Sequence, residues 1–377
     1  MVWWTSNFSH HFKKYRSDGW KDIQVTPGFI IRLVPSTSYT KNSSIGRFRC
    51  IRSFAKNAGR RFKKETAPDL IIGNCVMTKG YPIFPYAKKN NIPIIVDQGD
   101  LWPEFIEKNM GSFSKIAHLL LRPLYRSRTK NYGKADAYIA TGKNYLEFAR
   151  RVAPNGKEKP YTVVYNGIDV DKFAEMAKND IDARLLAMIG MKEDEKRCIF
   201  AGTFGPSYDI DTILNCAERF HNEGIKVKFI FAGSGPKQPE IEEKAKLYDN
   251  IVFLGALKPD QLIPVYCLCD IGLCAYTKKS NVDMPDKFYD YTAAGLAVVN
   301  SLTEEVAEYV VNSNVGYNYE AGNQESLYDA IKSIIADEKL CAEMKDNSSA
   351  LAKTFDMKVQ NDKLYKCILQ VMQETCS

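Results

Sequence analysis

No stretch of about 18 apolar residues occurs in the sequence, whose longest apolar runs are strand-sized, so a membrane-spanning helix is not expected. Its opening residues do not show a secretory signal pattern, and a cytoplasmic protein is the expectation. Histidine is scarce, at four residues, and none of the ten cysteines (50, 75, 198, 216, 267, 269, 274, 341, 367 and 376) makes a Cys-x2-Cys pair. That argues against a structural zinc site and for reduced, mostly buried thiols. Acidic residues are scarce in one half only. Residues 1–160 hold 11 Asp and Glu against 29 Lys and Arg, whereas the remainder holds 34 against 23. Halves of opposite sign imply two domains with different partners, and the basic half calls for an anionic one. Nucleic acid, anionic lipid and a pyrophosphate-bearing substrate all qualify. A nucleic-acid module would interleave exposed aromatics with the basic residues in a recognisable motif, and none is found, so no nucleic-acid partner is expected.

What is present is ordinary globular material: 377 residues, 45% hydrophobic and 26% charged, are enough for two substantial cores. Short apolar runs alternate with helical stretches, as βα units do. In the first half, strands are expected at Val2–Trp4, Phe29–Leu33, Leu70–Ile72, Ile92–Val96, Ala137–Ala140 and Tyr161–Val164, with helices at about 46–64, 79–90, 113–133 and 143–152. The 46–64 helix is strongly basic over an apolar underside. Tyr165-Asn166-Gly167-Ile168-Asp169 then reads as a tight turn leaving a strand. From Arg197 the alternation restarts, with strands at 198–201, 227–232, 251–254, 271–274 and 298–299. The fold class expected is α/β, with two doubly wound Rossmann-like domains and a cleft between them. Domain 1–169, a packed linker at 170–195, domain 196–356 and a final helix at 357–377 make up the chain.

Three strand ends of the second domain carry small residues: Gly202-Thr203-Phe204-Gly205, Gly233-Ser234-Gly235 and Gly255-Ala256-Leu257. Ligands of parallel sheets lie beyond the carboxyl ends of the strands, and glycine lets a phosphate approach backbone amides. Residues 276–300 add the most informative stretch. Pro285 suits a helix start and Gly295 its stop, so a helix at about 286–294 aims its N-terminus and dipole at whatever the preceding loop surrounds. Lys287 places a cation in the first turn, and Asp290, three residues on, places a carboxylate able to accept two sugar hydroxyls.

The run Pro285-Asp286-Lys287-Phe288-Tyr289-Asp290-Tyr291-Thr292-Ala293-Ala294-Gly295-Leu296-Ala297-Val298 resembles the signature of glycosyltransferase family 4. The resemblance implies the GT-B architecture, with Asp290 in the place of the acid that holds the donor ribose. The first acid of the family's Glu-x7-Glu pair falls at Val282, with Asp283 adjacent. Gly202 to Ser207 is similar to the family's first loop of the nucleotide domain, with Thr203 where an Arg is usual. The pattern Gly-Thr-x-Gly-x-Ser-Tyr-Asp looks like the subgroup that builds bacterial capsule, O-antigen and exopolysaccharide. Asp97-Gln98-Gly99-Asp100-Leu101-Trp102-Pro103-Glu104 and the segment around His10 resemble the same subgroup, Gly99 standing where it has Arg. The tail helix is expected, by resemblance, to cross back to the N-terminal domain. The opening strand Val2–Trp4 resembles the second strand of related enzymes, so an earlier first strand is expected upstream.

What the resemblance implies is a retaining, metal-independent transfer of a hexose or N-acetylaminosugar from a UDP- or GDP-linked donor, with no cofactor and no metal ligand assigned. The acceptor is a lipid-linked or growing oligosaccharide, and the enzyme is peripheral at the inner face of the cell membrane, an anionic surface suited to the basic half. Catalytic candidates are Asp100 and Lys287. Donor candidates are Gly202, Thr203, Phe204, Gly205, Ser207, Gly233, Ser234, Gly235, Leu257, Asp283, Pro285, Lys287, Phe288 and Asp290; acceptor candidates are His10 and Asp100. Two alternatives share the fold: a catalytically silent scaffold that binds nucleotide sugars, and a nucleotide-sugar epimerase, which needs cleft carboxylates and histidines for proton transfer.

Overall fold

The computed structural model describes residues 1–40, 44–74, 83–101, 103–104, 107, 114–190, 192 and 194–376. Trp102, in the 97–104 run, lies outside them, as do residues 79–82 of the helix expected at 79–90. The chain divides into two compact units, one of residues 1–140, 145–163 and 365–377, the other of 141–144 and 164–364.

In the first unit, β1 (Val2–Ser6), β2 (Lys21–Thr26) and β3 (Phe29–Val34) form a three-stranded sheet in the order β1-β3-β2. Strands β4 (Ile71–Asn74), β5 (Ile94–Gln98), β6 (Ala137–Ala140) and β7 (Tyr161–Val163) form a four-stranded parallel sheet in sequence order. Helices α1 (Ile45–Phe62), α2 (Ile83–Lys89), α3 (Ser114–Tyr132) and α4 (Lys143–Val152) fall between them in the chain. The sequence reading does not anticipate β2. It runs antiparallel to β3 across a Pro27-Gly28 turn, and all six of its residues are exposed, so no buried face marks it. Its hold on β3 is electrostatic as well as backbone: the Arg32 guanidinium grips Asp22 with two bonds of 2.8 and 2.7 Å. The core of the four-stranded sheet is built on Ile94, Val96, Tyr138 and Ala140, packed by Phe84, Tyr132 and Leu146.

The second unit follows the expected alternation. After α5 (Val170–Met176) and α6 (Ala183–Ile189) come β8 (Lys196–Thr203), α7 (Ile210–Asn222), β9 (Val227–Ser234), α8 (Gln238–Leu247), β10 (Ile251–Gly255), α9 (Pro259–Cys267) and β11 (Ile271–Cys274). Then follow α10 (Asp286–Ala293), β12 (Ala297–Asn300), α11 (Glu305–Asn312), β13 (Gly316–Asn318), α12 (Gln324–Ile335) and α13 (Glu338–Ala352), and the chain closes with α14 (Met357–Cys376), whose residues from Tyr365 on count with the first unit. The six strands are parallel in the order β10-β9-β8-β11-β12-β13. Their β-branched and aromatic runs are buried on both faces, as a parallel sheet covered by helices requires. Cys198, Phe200, Phe229 and Phe231 lie under Ile213, Ala217 and Phe220 of α7. The chain builds outward from β8 to β10, then returns to the other side of β8 at β11. That reversal opens a crevice at the carboxyl ends of β8 and β11.

Candidate functional site

The glycine loops at this crevice are pinned to one another. Gly202 pairs with Gly233 and Thr203 with Ser234 across β8 and β9, the Phe204 amide donates to the Ser234 carbonyl at 2.9 Å, and the Lys237 amide donates to the Phe204 carbonyl at 3.1 Å. A β-carbon on Gly233 would stand 1.8 Å from the Gly202 carbonyl oxygen, and one on Gly235 would stand 2.7 Å from the backbone of Phe204. Only glycine permits this approach. On the β11 side, Thr277 donates its amide to the Ser207 carbonyl at 3.0 Å, and Tyr208 bridges Tyr276, so the loops after β8 and β11 are held together.

Helix α10 points its first turn at this place. Pro285 is its N-cap, in extended conformation, with the Phe288 amide donating to its carbonyl at 2.9 Å. Lys287, in that turn, is 7% exposed, and among the described residues its ammonium has no hydrogen-bond partner. The nitrogen sits over the rings of Phe200, Tyr208 and Tyr276, at 3.8, 4.2 and 5.0 Å from their centroids, and would stand 3.5 Å from a β-carbon on Gly202. Cation–π attraction compensates part of its lost hydration. Burial still pushes its pKa down to about 7, against the smaller pull of Cys274 and Asp290. A buried cation with free donors beside a helix N-terminus and glycine amides has the chemistry to hold a multiply charged anion. Asp290, half-buried one turn on, has its pKa raised to about 6 by burial and by Asp286, with Lys287 opposing.

The other candidates are placed as follows. Gly202, Thr203, Ser207 and Ser234 are at the crevice and exposed or partly so, while Phe204 is fully buried against Phe200, Phe231 and Phe253 and lends only its backbone. Phe288 is core, packed on Phe355 and Tyr309. Leu257, half-buried, follows β10, two strands from β8. Asp283 is buried and accepts from the Asn144 amide at 3.1 Å and its side-chain nitrogen at 2.8 Å, so its carboxylate is engaged by the 141–144 segment. In the first unit, Asp100 is exposed after β5, its carbonyl accepting from the Gln98 side chain. His10 bonds the Tyr39 hydroxyl through Nδ1, and burial, then Arg47 and Lys13, lowers its pKa.

One carboxylate escapes the sequence reading. Glu305, at the start of α11, is 2% exposed and accepts from the Lys143 amide at 2.6 Å and from the Tyr165 hydroxyl, its pKa raised chiefly by burial. The residue before it, Glu304, adopts φ 69° and ψ −131°, a conformation suited to glycine. The pair Glu304-Glu305 just past strand 297–300 was the available signal. Among the described residues, no three His, Cys, Asp or Glu side chains converge as a metal site.

Residues 195–337 match the family model described as glycosyl transferases group 1. The chain is 24% identical over 162 residues to the chitobiosyldiphosphodolichol beta-mannosyltransferase of Kluyveromyces lactis, covering 40% of this chain and 36% of that protein. It is 25% identical over 122 residues to the alpha-monoglucosyldiacylglycerol synthase of Streptococcus pneumoniae, covering 31% and 28%. The matched part is thus about a third of the length of these curated relatives. Among solved structures, sucrose-phosphate synthase from Thermosynechococcus elongatus superposes with a TM-score of 0.70 at 15% identity, over 98% of this chain and 89% of that one. HepE of Anabaena in complex with UDP does so with a TM-score of 0.65 at 15% identity, over 90% and 86%. At these identities the likeness is one of fold, and it places the chain among two-domain Rossmann-like proteins of the GT-B type.

Proposed function

From the premise that residues 195–337 form a glycosyl transferases group 1 domain, we propose that this protein is a retaining glycosyltransferase. It moves a hexose or N-acetylaminosugar from a UDP- or GDP-linked donor to a lipid-linked or growing oligosaccharide. The single observation that carries the reading is the Lys287 ammonium, buried without a hydrogen-bonding partner among the described residues and set beside Gly202 at the N-terminus of α10. In this reading the donor diphosphate lies on the amides of the Gly202–Gly205 and Gly233–Gly235 loops, and Asp290 accepts the ribose hydroxyls. As the glycosidic bond to the diphosphate breaks, negative charge grows on the leaving oxygen. Lys287, the loop amides and the helix dipole are preorganised to stabilise that charge, usually the largest single contribution to such catalysis. Lys287, close to its titration point when the site is empty, gains a proton fully when the diphosphate binds.

A lipid-borne acceptor is supported by the names of the relatives, one a mannosyltransferase named for a dolichol-linked sugar and one a synthase of a glucosylated diacylglycerol. A role in capsule or O-antigen assembly, and a peripheral position on the inner face of the membrane, complete the proposal; the excess of Lys and Arg in residues 1–160 supports the latter. The test is incubation with a panel of UDP- and GDP-sugars, reading nucleoside diphosphate release with and without a lipid-linked acceptor. Release from one donor, lost in Lys287→Met, is expected. Tight binding of a nucleotide sugar with no release from any donor would mean a silent scaffold instead, and release of an isomerised nucleotide sugar would mean an epimerase.

A further inference from the structure

Two helices of the first unit are rich in basic residues, and they differ in what lies beside the charge. On α1 the exposed residues include Arg49, Arg52, Lys56 and Arg60, while the apolar Phe48, Ile51 and Phe54 are half-buried and Cys50 and Ala55 buried. Apart from Ile45 at its first position, which is exposed, that is a solvated helix with its apolar face spent on packing. On α3 the apolar face is outside. Ile116, Leu119 and Leu120 are 57%, 65% and 70% exposed, and Pro123 is exposed as well. Their spacing of i, i+3, i+4 and i+7 puts them within an arc of about 100°, along roughly 10 Å of helix. Three successive turns then carry Arg122, Arg126 and Lys130, all exposed, on the adjoining strip toward the C-terminus.

We propose that α3 is the element by which this protein engages an anionic lipid bilayer, with the Ile116–Pro123 stripe entering the interface and Arg122, Arg126 and Lys130 lying at headgroup level. The helix is anchored for this at its other end. Tyr132 is fully buried and donates to Gln98, and Arg128, 4% exposed, holds Glu104 with bonds of 2.6 and 2.8 Å. The bilayer is the occupant that fits the charge. No Asp or Glu occurs within α3, and Glu107 meets the helix on the side away from the stripe, where Tyr125 donates to it at 2.5 Å and His118 lies at 3.0 Å. Among the described residues the exposed charges along the stripe are cations; such a border matches an apolar layer edged by phosphates and repels a second copy of itself. Among the described residues no helix is long and apolar enough to cross a membrane, so the engagement is interfacial.

The inference rests on the membrane reading given above and adds to it the element and the mode. The experiment is sedimentation of the full chain with vesicles of phosphatidylcholine, alone or with phosphatidylglycerol, at low and high salt. Wild type is compared with L119S/L120S and with R122Q/R126Q/K130Q, and fluorescence is read from a polarity-sensitive label on Leu119→Cys. The wild type is expected to pellet with the anionic vesicles only. Each multiple variant should lose about tenfold or more in partitioning with an unchanged melting temperature, and the label should shift to the blue. Wild-type binding that both variants retain, with no shift in the label, overturns this inference and leaves the membrane reading standing. No wild-type binding to either vesicle overturns both. A concentration-dependent dimer abolished by L119S/L120S assigns the stripe to a second copy and also overturns it.

Discussion

The two units solve the same construction problem with different amounts of freedom. In the second, six contiguous parallel strands bring glycine-bearing loop ends to one crevice, where a single β-carbon in the wrong place meets a carbonyl at 1.8 Å. In the first, the described strands lie in two smaller sheets, and Met1, Val2, Trp3, Ile23 and Val25 at the three-stranded sheet are left exposed. A wall packed on both faces fixes positions to fractions of an ångström, which suits holding a small anion. A sheet with open faces and an outward apolar helix suits broad, adaptable contact. The difference should appear when each unit is perturbed.

The largest effect is expected at Gly233. An alanine there combines a φ of +148° with the 1.8 Å overlap, and it should destabilise the protein by about 3 kcal/mol or more in urea unfolding. Gly19, in the first unit, has nothing within 4 Å of an added β-carbon, and Gly19→Ala should stay within about 0.5 kcal/mol. Equal costs at both positions would erase the contrast between the units.

Lys287→Met comes next and should move two quantities in opposite directions. Donor-nucleotide affinity measured by calorimetry should fall about ten- to a hundredfold, the loss expected of charge-assisted bonds. Stability without nucleotide should rise, because a buried ammonium lacking an anion is costly. The pH dependence separates this from mere repacking. In the folded protein Lys287 titrates near 7, and unfolded near its ordinary 10.5. Between those values the unfolded chain binds more protons, so wild-type stability should climb with pH from about 7 toward 10 relative to the methionine variant. Parallel profiles would mean that Lys287 is not buried as a bare cation.

Asp290→Asn or Asp290→Ala should weaken donor binding by about 1–3 kcal/mol. Because Asp290 titrates near 6, wild-type affinity should also drop as pH falls through 6, and the asparagine variant should lack that limb. Unchanged affinity in the variants would remove Asp290 from the site.

Much of this was legible in the sequence where the information is local. The apolar runs 198–201, 227–232, 251–254 and 271–274 mark buried strands by themselves. Pro285, Lys287, Asp290 and Gly295 define a capped helix and its first turn within eleven residues. What was hidden depends on distant partners. Phe288 stands among the donor candidates by resemblance, and Phe355 makes it core. Asp283 sits where a donor-sugar contact is sought, but Asn144, 139 residues earlier, claims its carboxylate. Glu305 is held by Lys143, 162 residues away, and β2 shows no buried face because its support is a hairpin and an ion pair. Helix α3 was read correctly as a helix at about 113–133, yet nothing local tells an apolar stripe turned inward from one turned to solvent.

The smallest effect belongs to the first unit and closes the comparison from the acid side. Arg32 grips Asp22, also reaches Glu65, and stacks 4.7 Å over the Trp4 ring, tying β2, β3, β1 and the end of α1 together. Hydrogen bonding to Arg32 holds the Asp22 carboxyl below its ordinary value, so this contribution to stability is complete above about pH 4 and is lost as pH falls through the folded titration point. The Asp22 side chain is 37% exposed, and solvent screening limits its contribution to about 1 kcal/mol or less. Asp22→Asn should therefore cost little at neutral pH and flatten the acid limb of the stability profile, whereas Lys287→Met flattens only the alkaline limb. If Asp22→Asn leaves the acid limb unchanged, Glu65 alone satisfies Arg32, and β2 is held by its backbone pairing to β3.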